Sequence, residues 1–300
     1  MTAVQEGSLR QSDSRWQFDS RWQSVTVDCG GFSVGDTLTS GQCFRWGERN
    51  GRYCGTAFGQ YIEVAQEGTS LTVYGSDEAG FTQVWRDYFD LGRDYEDIRR
   101  RVTACEPRLE EAAAYAGGIH ILRQEPWEAL CSFVISQNNN IPRIRRIIRT
   151  VCERYGQRAA DWEYAAEEAD AMTFPTAEAL TEVSEDEWRA CGCGYRAAYL
   201  TELSHRAARG GLDVAFLREA PIAEARRYLL SFKGVGAKVA ECALLYGFGR
   251  LECFPVDVWI RRALETEFTG ATALRDSEYA GVAQQYIFEY FRKKQSSDNN

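Results

Sequence analysis

Phe232-Lys-Gly-Val-Gly-Ala-Lys238 decides the fold, together with Phe254-Pro-Val-Asp257, whose aspartate stands nineteen residues beyond Lys238. Apolar periodicity on either side predicts helices over 221–231 and 236–247, so Gly234 and Gly236 fall in the turn of a helical hairpin. Gly-x-Gly in so short a turn lets the backbone pass close to a neighbour. It also leaves the first amides of the next helix pointing outward. Those amides and the helix dipole make a phosphate seat that needs no basic side chain. Gly-Val-Gly alone also reads as a plain corner between helices. Lys238 and Asp257 add the chemistry: a lysine attacks only as a free amine, and an aspartate can stabilise a developing cation. An aspartate before a helix is equally a good N-cap.

Outward from the hairpin, helical texture fills the chain from about residue 80. Further helices are predicted at 80–91, 93–104, 107–116, 125–137, 141–155, 195–208, 258–267 and 277–293. Before residue 75 the texture is strand-like. Val25-Thr-Val, Cys43-Phe-Arg-Trp, Arg52-Tyr-Cys, Tyr61-Ile-Glu-Val and Leu71-Thr-Val-Tyr are separated by glycine-containing turns, the pattern of an antiparallel meander. The prediction is an α+β chain. Residues 1–24, with the duplication Ser14-Arg-Trp-Gln and Ser20-Arg-Trp-Gln, form a flexible leader. Residues 25–104 form a small antiparallel β-rich domain, 105–294 a larger all-helical domain holding the hairpin at 232–238, and 295–300 a frayed tail.

Composition narrows the function. The chain has 300 residues, 44% hydrophobic and 26% charged, with no low-complexity block, so it is neither mainly disordered nor short of a core. No apolar run approaches the roughly 18 residues of a membrane span, and the N-terminus is polar, which predicts a soluble, intracellular protein. Its ten cysteines include no C-x-x-C spacing, which argues against zinc ribbons and cysteine-ligated clusters. The net charge of -9 is uneven: residues 159–187 hold ten acids and no base, so the rest sums to +1 (-9 minus -10). Asn138 to Arg158 holds six arginines against the single acid Glu153. Local potential, not net charge, steers a polyanion.

At these residues the sequence resembles the helix-hairpin-helix DNA glycosylase superfamily and, within it, the 8-oxoguanine DNA glycosylases. Ser40-Gly-Gln-Cys-Phe-Arg-Trp46, Leu122-Arg-Gln-Glu-Pro, Ser132-Phe-Val-Ile-Ser-Gln-Asn-Asn-Asn-Ile141, Gly194-Tyr-Arg-Ala and Gly281-Val-Ala-Gln carry the resemblance beyond the hairpin. It covers about 25–292. It implies a twisted antiparallel N-terminal sheet beside a helical glycosylase domain, acting on 8-oxoguanine opposite cytosine in double-stranded DNA. It also implies a monomer without an iron–sulfur cluster or other cofactor, the hairpin being able to hold a structural cation. The compartment would be the cytoplasm and nucleoid of a bacterium or the nucleus of a eukaryote.

Site roles follow from the same resemblance. Lys238 is the nucleophile and Asp257 its carboxylate partner. Gly41, Cys242, Gln284 and Phe288 line the pocket for the flipped base. Asn138, Arg143 and Arg196 read the opposite cytosine, and Tyr195 is the wedge left in the gap. Gly234, Gly236 and Trp259 hold DNA phosphates. Two positions depart from the well-known eukaryotic members: Trp259 stands where they carry histidine, and Lys233 at a hairpin site that is usually proline. On the residues alone, Phe288 also reads as packing against the N-terminal domain, Cys242 as a core thiol and Gly41 as a turn glycine. Two other functions compete, a helix-hairpin-helix glycosylase for alkylated bases or oxidised pyrimidines and a non-catalytic DNA-binding module. The first would lack the lysine or add a four-cysteine cluster, and the second would not need Lys238 with Asp257.

Overall fold

The computed structural model describes residues 4–12, 15–165 and 168–298. Six antiparallel strands, β1 (Val4–Ser12), β2 (Arg15–Asp28), β3 (Gly47–Arg49), β4 (Arg52–Ala57), β5 (Gln60–Glu67) and β6 (Ser70–Tyr74), stand in the sheet order β1-β2-β6-β5-β4-β3. The meander from β4 to β6 follows the predicted segments, and its apolar positions Ile62, Val64, Leu71 and Val73 point into one core. Two expectations differ. The described part of residues 1–24 is a hairpin, not a loose leader; β2 pairs with β1 from Arg15 to Val25 and with β6 from Ser24 to Asp28. Pairing satisfies backbone groups that a free strand edge would leave open.

Cys43–Trp46, predicted as a strand, is irregular. Cys43 and Trp46 join the core under the sheet, whereas Phe44 joins the helical core, so the segment serves two cores and cannot alternate as a pleat requires. The short helix Val34–Thr39 was not foreseen, although Ser33 caps it by accepting from the Asp36 amide at 3.3 Å.

The helical part begins with α1 (Tyr95–Cys105) and α2 (Glu110–Ala116) and continues through α3 (Pro126–Ile135), α4 (Ile141–Tyr155) and α5 (Ala197–Arg206). It ends with α6 (Ile222–Leu230), α7 (Ala237–Phe248), α8 (Val258–Thr266) and α9 (Ala280–Asp298). The bounds of α4 are those the periodicity predicts, with Asn140 as its cap. The boundary expected after residue 104 divides helices that pack together: Ile98 and Val102 of α1 share one core with Ala112, Ala113 and Ala116 of α2. In α9 the residues from Ala280 to Ile287 are all buried, wider than the single stripe drawn from the sequence, and the helix runs past residue 293. No described helix is long and apolar enough to cross a membrane. All ten cysteines are free thiols; nine are buried and Cys105 is exposed.

Between the two cores lies the connection Ile119–Gln124. Its His120 ring stacks on Tyr95 at 3.7 Å between centroids and shares a hydrogen bond of 3.2 Å with the Phe89 carbonyl. Burial pulls the imidazole down to about 4 from an ordinary 6.5. Between those values the unfolded chain takes up a proton that the folded chain refuses, so stability falls as pH drops through the window. The full effect is about 3 kcal/mol. Comparing urea unfolding of wild type and His120→Gln at pH 7 and 4.5, we expect the wild type to lose about 2 kcal/mol more than the variant. Equal losses would refute it.

Candidate active site

The hairpin between α6 and α7 is fixed by what lies under it. Phe232 and Val235 are buried, and Gly234 adopts φ +81, where a Cβ would overlap the Tyr199 ring on α5. No other residue offers both the left-handed backbone and the close approach. Gln137 donates to the Gly234 carbonyl at 3.0 Å, and Lys233 pairs with Glu202 of α5 at 3.3 Å. That exposed ion pair stands at the position where proline was expected. Gly236 caps α7 with φ -86, and a Cβ there would meet nothing within 4 Å, so this face is open.

Lys238 lies in the first turn of α7, half-buried, with its ammonium 5.1 Å from the centre of the Phe133 ring. Cys242 follows it one turn later on α7. Burial pushes the Cys242 thiol up, the Lys238 charge opposes that rise, and the Asp257 charge adds to it, so the three groups form one electrostatic cluster. Asp257 is the N-cap of α8, its Oδ1 accepting from the Ile260 amide at 2.8 Å. The cap reading is therefore correct, and a capped carboxylate is also a carboxylate held in place. Trp259 is half-buried in the first turn of α8. Beside Lys238 opens a cavity of about 760 Å³, with Arg261 and Arg275 on its wall.

Opposite this cluster, the sheet-side loop meets α9. Gly41 has φ +80, and a Cβ built on it would lie 3.6 Å from Phe288 and 3.5 Å from Ile141. Phe288 is thus half-buried against the Gly41 loop, which is the packing expected of it on the residues alone. Gln284, one turn earlier, is buried with its Oε1 unpaired. A buried amide oxygen without a donor costs about 1–3 kcal/mol, a debt that an incoming N–H would remove.

The fourth group surrounds the turn between α3 and α4. Asn138 sits at φ +47 and donates from Nδ2 to the Tyr195 hydroxyl at 3.1 Å; Tyr195 itself is 52% exposed. Arg143 is exposed at the start of α4. Arg196 differs from a free reading fork: only 3% exposed, it donates to the carbonyls of Gln137, Asn138 and Cys193, and its guanidinium lies 4.5 Å from the Tyr195 ring centre. These bonds take up most of its five donors. In this structure Arg196 braces the strained Asn138 turn.

Residues that the sequence did not single out complete the arrangement. Phe133 lies beneath Lys238 and stacks on Tyr246, whose hydroxyl donates to Gln285. The signal available was weak: a second glutamine beside Gln284, inside an apolar run.

With this geometry described, comparison with known proteins is direct. The pattern of the 8-oxoguanine DNA glycosylase N-terminal domain matches residues 24–130, and that of the HhH-GPD superfamily of base excision DNA repair proteins matches 131–273. A probable N-glycosylase/DNA lyase of Methanothermobacter thermautotrophicus is 30% identical over 317 residues, which covers 90% of this chain and 96% of that protein. The chain belongs to the 8-oxoguanine DNA glycosylase family. The family's fold extends over the whole helical and sheet assembly. The Clostridium acetobutylicum 8-oxoguanine glycosylase/lyase, solved with duplex DNA containing cytosine opposite 8-oxoguanine, superposes with a TM-score of 0.83 at 34% identity over 91% of this chain and 96% of that one. The N-glycosylase/DNA lyase of Saccharomyces cerevisiae is 36% identical over 162 residues, 50% of this chain and 42% of that protein.

The hairpin gives a direct stability test. Gly234→Ala forces both backbone strain and overlap with Tyr199, and should cost more than about 2 kcal/mol in urea unfolding. Gly236→Ala changes only a cap with open space around it and should cost at most about 1 kcal/mol. A Gly234 variant as stable as the Gly236 variant would show that the close approach is unimportant.

Proposed function

We propose that this chain is a bifunctional glycosylase and abasic-site lyase that removes 8-oxoguanine opposite cytosine from duplex DNA. The observation that carries the reading is the charge cluster of Lys238 and Cys242 on α7 with Asp257 at the cap of α8, beside a cavity whose wall holds Arg226, Arg261 and Arg275 together with Glu241 and Asp276. DNA phosphates rest on the amides of the hairpin at Gly234 and Gly236 and on the start of α8 at Trp259. Such amides bind an anion whatever the net charge of the protein. The damaged nucleotide leaves the stack, because its C1′ cannot be reached inside the duplex.

The Lys238 amine forms a bond to C1′ as the bond from C1′ to the base breaks, and the base leaves with the electron pair and takes up a proton. Asp257 stabilises the cationic sugar. The C1′–O4′ bond then opens, the ring oxygen taking up a proton as the amine nitrogen gives one up, and the Schiff base so formed makes the C2′ proton acidic; loss of that proton expels the 3′ phosphate and nicks the strand. Gly41 supplies a carbonyl for the N7–H that distinguishes 8-oxoguanine from guanine, Gln284 meets the Watson–Crick edge with its unpaired oxygen, and Phe288 stacks on the ring. Tyr195 fills the gap. Asn138 and Arg143 receive the cytosine, with Arg196 holding their turn. The chemistry uses no cofactor, and the enzyme works as a monomer where chromosomal DNA is held, the nucleoid or the nucleus.

Two variants test the scheme on an 8-oxoguanine duplex in the presence of chelator. Lys238→Gln should abolish the borohydride-trapped complex and strand nicking while lesion binding persists; a trapped adduct of full yield would move the nucleophile elsewhere. Asp257→Asn keeps the capping geometry but not the charge, so single-turnover excision should fall by about 10²–10³. Excision near the wild-type rate in a folded Asn variant would leave the aspartate a cap only.

A further inference from the structure

Gly41 presents the carbonyl on which lesion reading is proposed to depend, yet a glycine confines its own carbonyl less than any other residue. What fixes its direction must therefore act on its neighbours, and the structure shows a hold on each side. On one side, Gln285 donates from Nε2 to the Ser40 carbonyl at 3.0 Å and accepts at Oε1 from the Tyr246 hydroxyl at 2.6 Å. On the other, Gln124 donates to the Gln42 carbonyl at 2.7 Å. The Gln42 side chain is also engaged, donating to the His120 carbonyl at 2.9 Å and accepting from the Leu122 amide at 2.8 Å. Gln285 is 1% exposed and Gln42 fully buried, so these bonds have no water to replace them.

We infer that Tyr246 and Gln285 are positioning residues for lesion recognition, a relay that sets the Gly41 carbonyl from the helical side. The inference rests on the proposed function. Tyr246 stacks on Phe133 at 5.4 Å between centroids, and Phe133 lies under the Lys238 ammonium. The relay therefore links the ring beneath the nucleophile to the loop that reads the base, across elements far apart in the chain. Both of its side chains are placed for this: Tyr246 at the inner face of α7, and Gln285 in the fully buried start of α9, next to the base-reading Gln284. A misplacement of about 1 Å at a reacting or reading group can cost on the order of 10²-fold in rate.

The test separates reading from bond chemistry. Gln285→Leu removes both hydrogen bonds, and Tyr246→Phe removes only the hydroxyl while keeping the ring on Phe133. Single-turnover excision of 8-oxoguanine opposite cytosine should fall on the order of tenfold or more in Gln285→Leu, and less in Tyr246→Phe. The ratio of 8-oxoguanine to guanine excision should narrow in both. Nicking of a duplex with a preformed abasic site, which needs Lys238 but no base reading, should stay near wild type. Wild-type excision of 8-oxoguanine in the same assay establishes the underlying reading separately. The relay has no positioning role if both variants keep the wild-type ratio, or if abasic-site nicking falls by the same factor as excision. Should Gln285→Leu not fold, Tyr246→Phe decides alone.

Discussion

The first two turns of α9 are buried on every side, and the arrangement of the molecule depends on that burial. A helix with solvent on one face can shift as its neighbours shift; one enclosed all round cannot, because close-packed interiors resist displacement. α9 is therefore the fixed element against which the sheet-side loop at Ser40–Gln42 and the helical core are both registered. Gln284 and Phe288 stand one turn apart on it, and Gln285, beside Gln284, reaches Tyr246 and the Ser40 carbonyl. Polar side chains in such a place are costly unless bonded, so the pairing of Gln285 and the unpaired oxygen of Gln284 are different statements about one helix.

Charge is arranged on the same principle of local partners. Asp170, in the acidic segment, pairs with Arg49 at 2.8 Å and approaches Arg149 of α4, while Glu187 caps its own short helix. The acidic stretch begins at the β4–β5 turn, where Ala160 exchanges backbone bonds with Gly59 and Tyr61. Part of its charge is thus set against arginines. A polyanion approaching the hairpin meets dipoles and the arginines near Lys238, and the net charge of -9 misstates what it would feel.

The sequence revealed elements whose information is local. Asn140 and the periodicity of 141–155 delimit α4, and Gly-Val-Gly between two amphipathic runs marks the hairpin, because caps and turn glycines act within a few residues. The irregular Cys43–Trp46 segment was read as a strand because its two destinations lie in different cores, which no short window contains. The joining of α1 to the helical unit had the same cause. Arg196 was assigned a base-reading role by family pattern, whereas its bonds to Gln137, Asn138 and Cys193 exist only once α5 is folded against the α3–α4 turn. Tyr246 and Gln285 are thirty-nine positions apart and meet only through tertiary packing.

The buried cysteines have a chemical consequence. A thiol is oxidised or alkylated chiefly as its thiolate, and burial raises the pKa of Cys43 to about 12, Cys193 to about 12, and Cys54 and Cys152 to about 11, and pushes Cys242 up as well. Such groups stay protonated, which closes the thiolate route by which peroxides attack. An enzyme whose substrate arises from oxidation must work during the same chemical stress that creates its task. Nine of the ten cysteine thiols are kept out of solvent, which leaves Cys105, at the end of α1, as the thiol where such damage would first register.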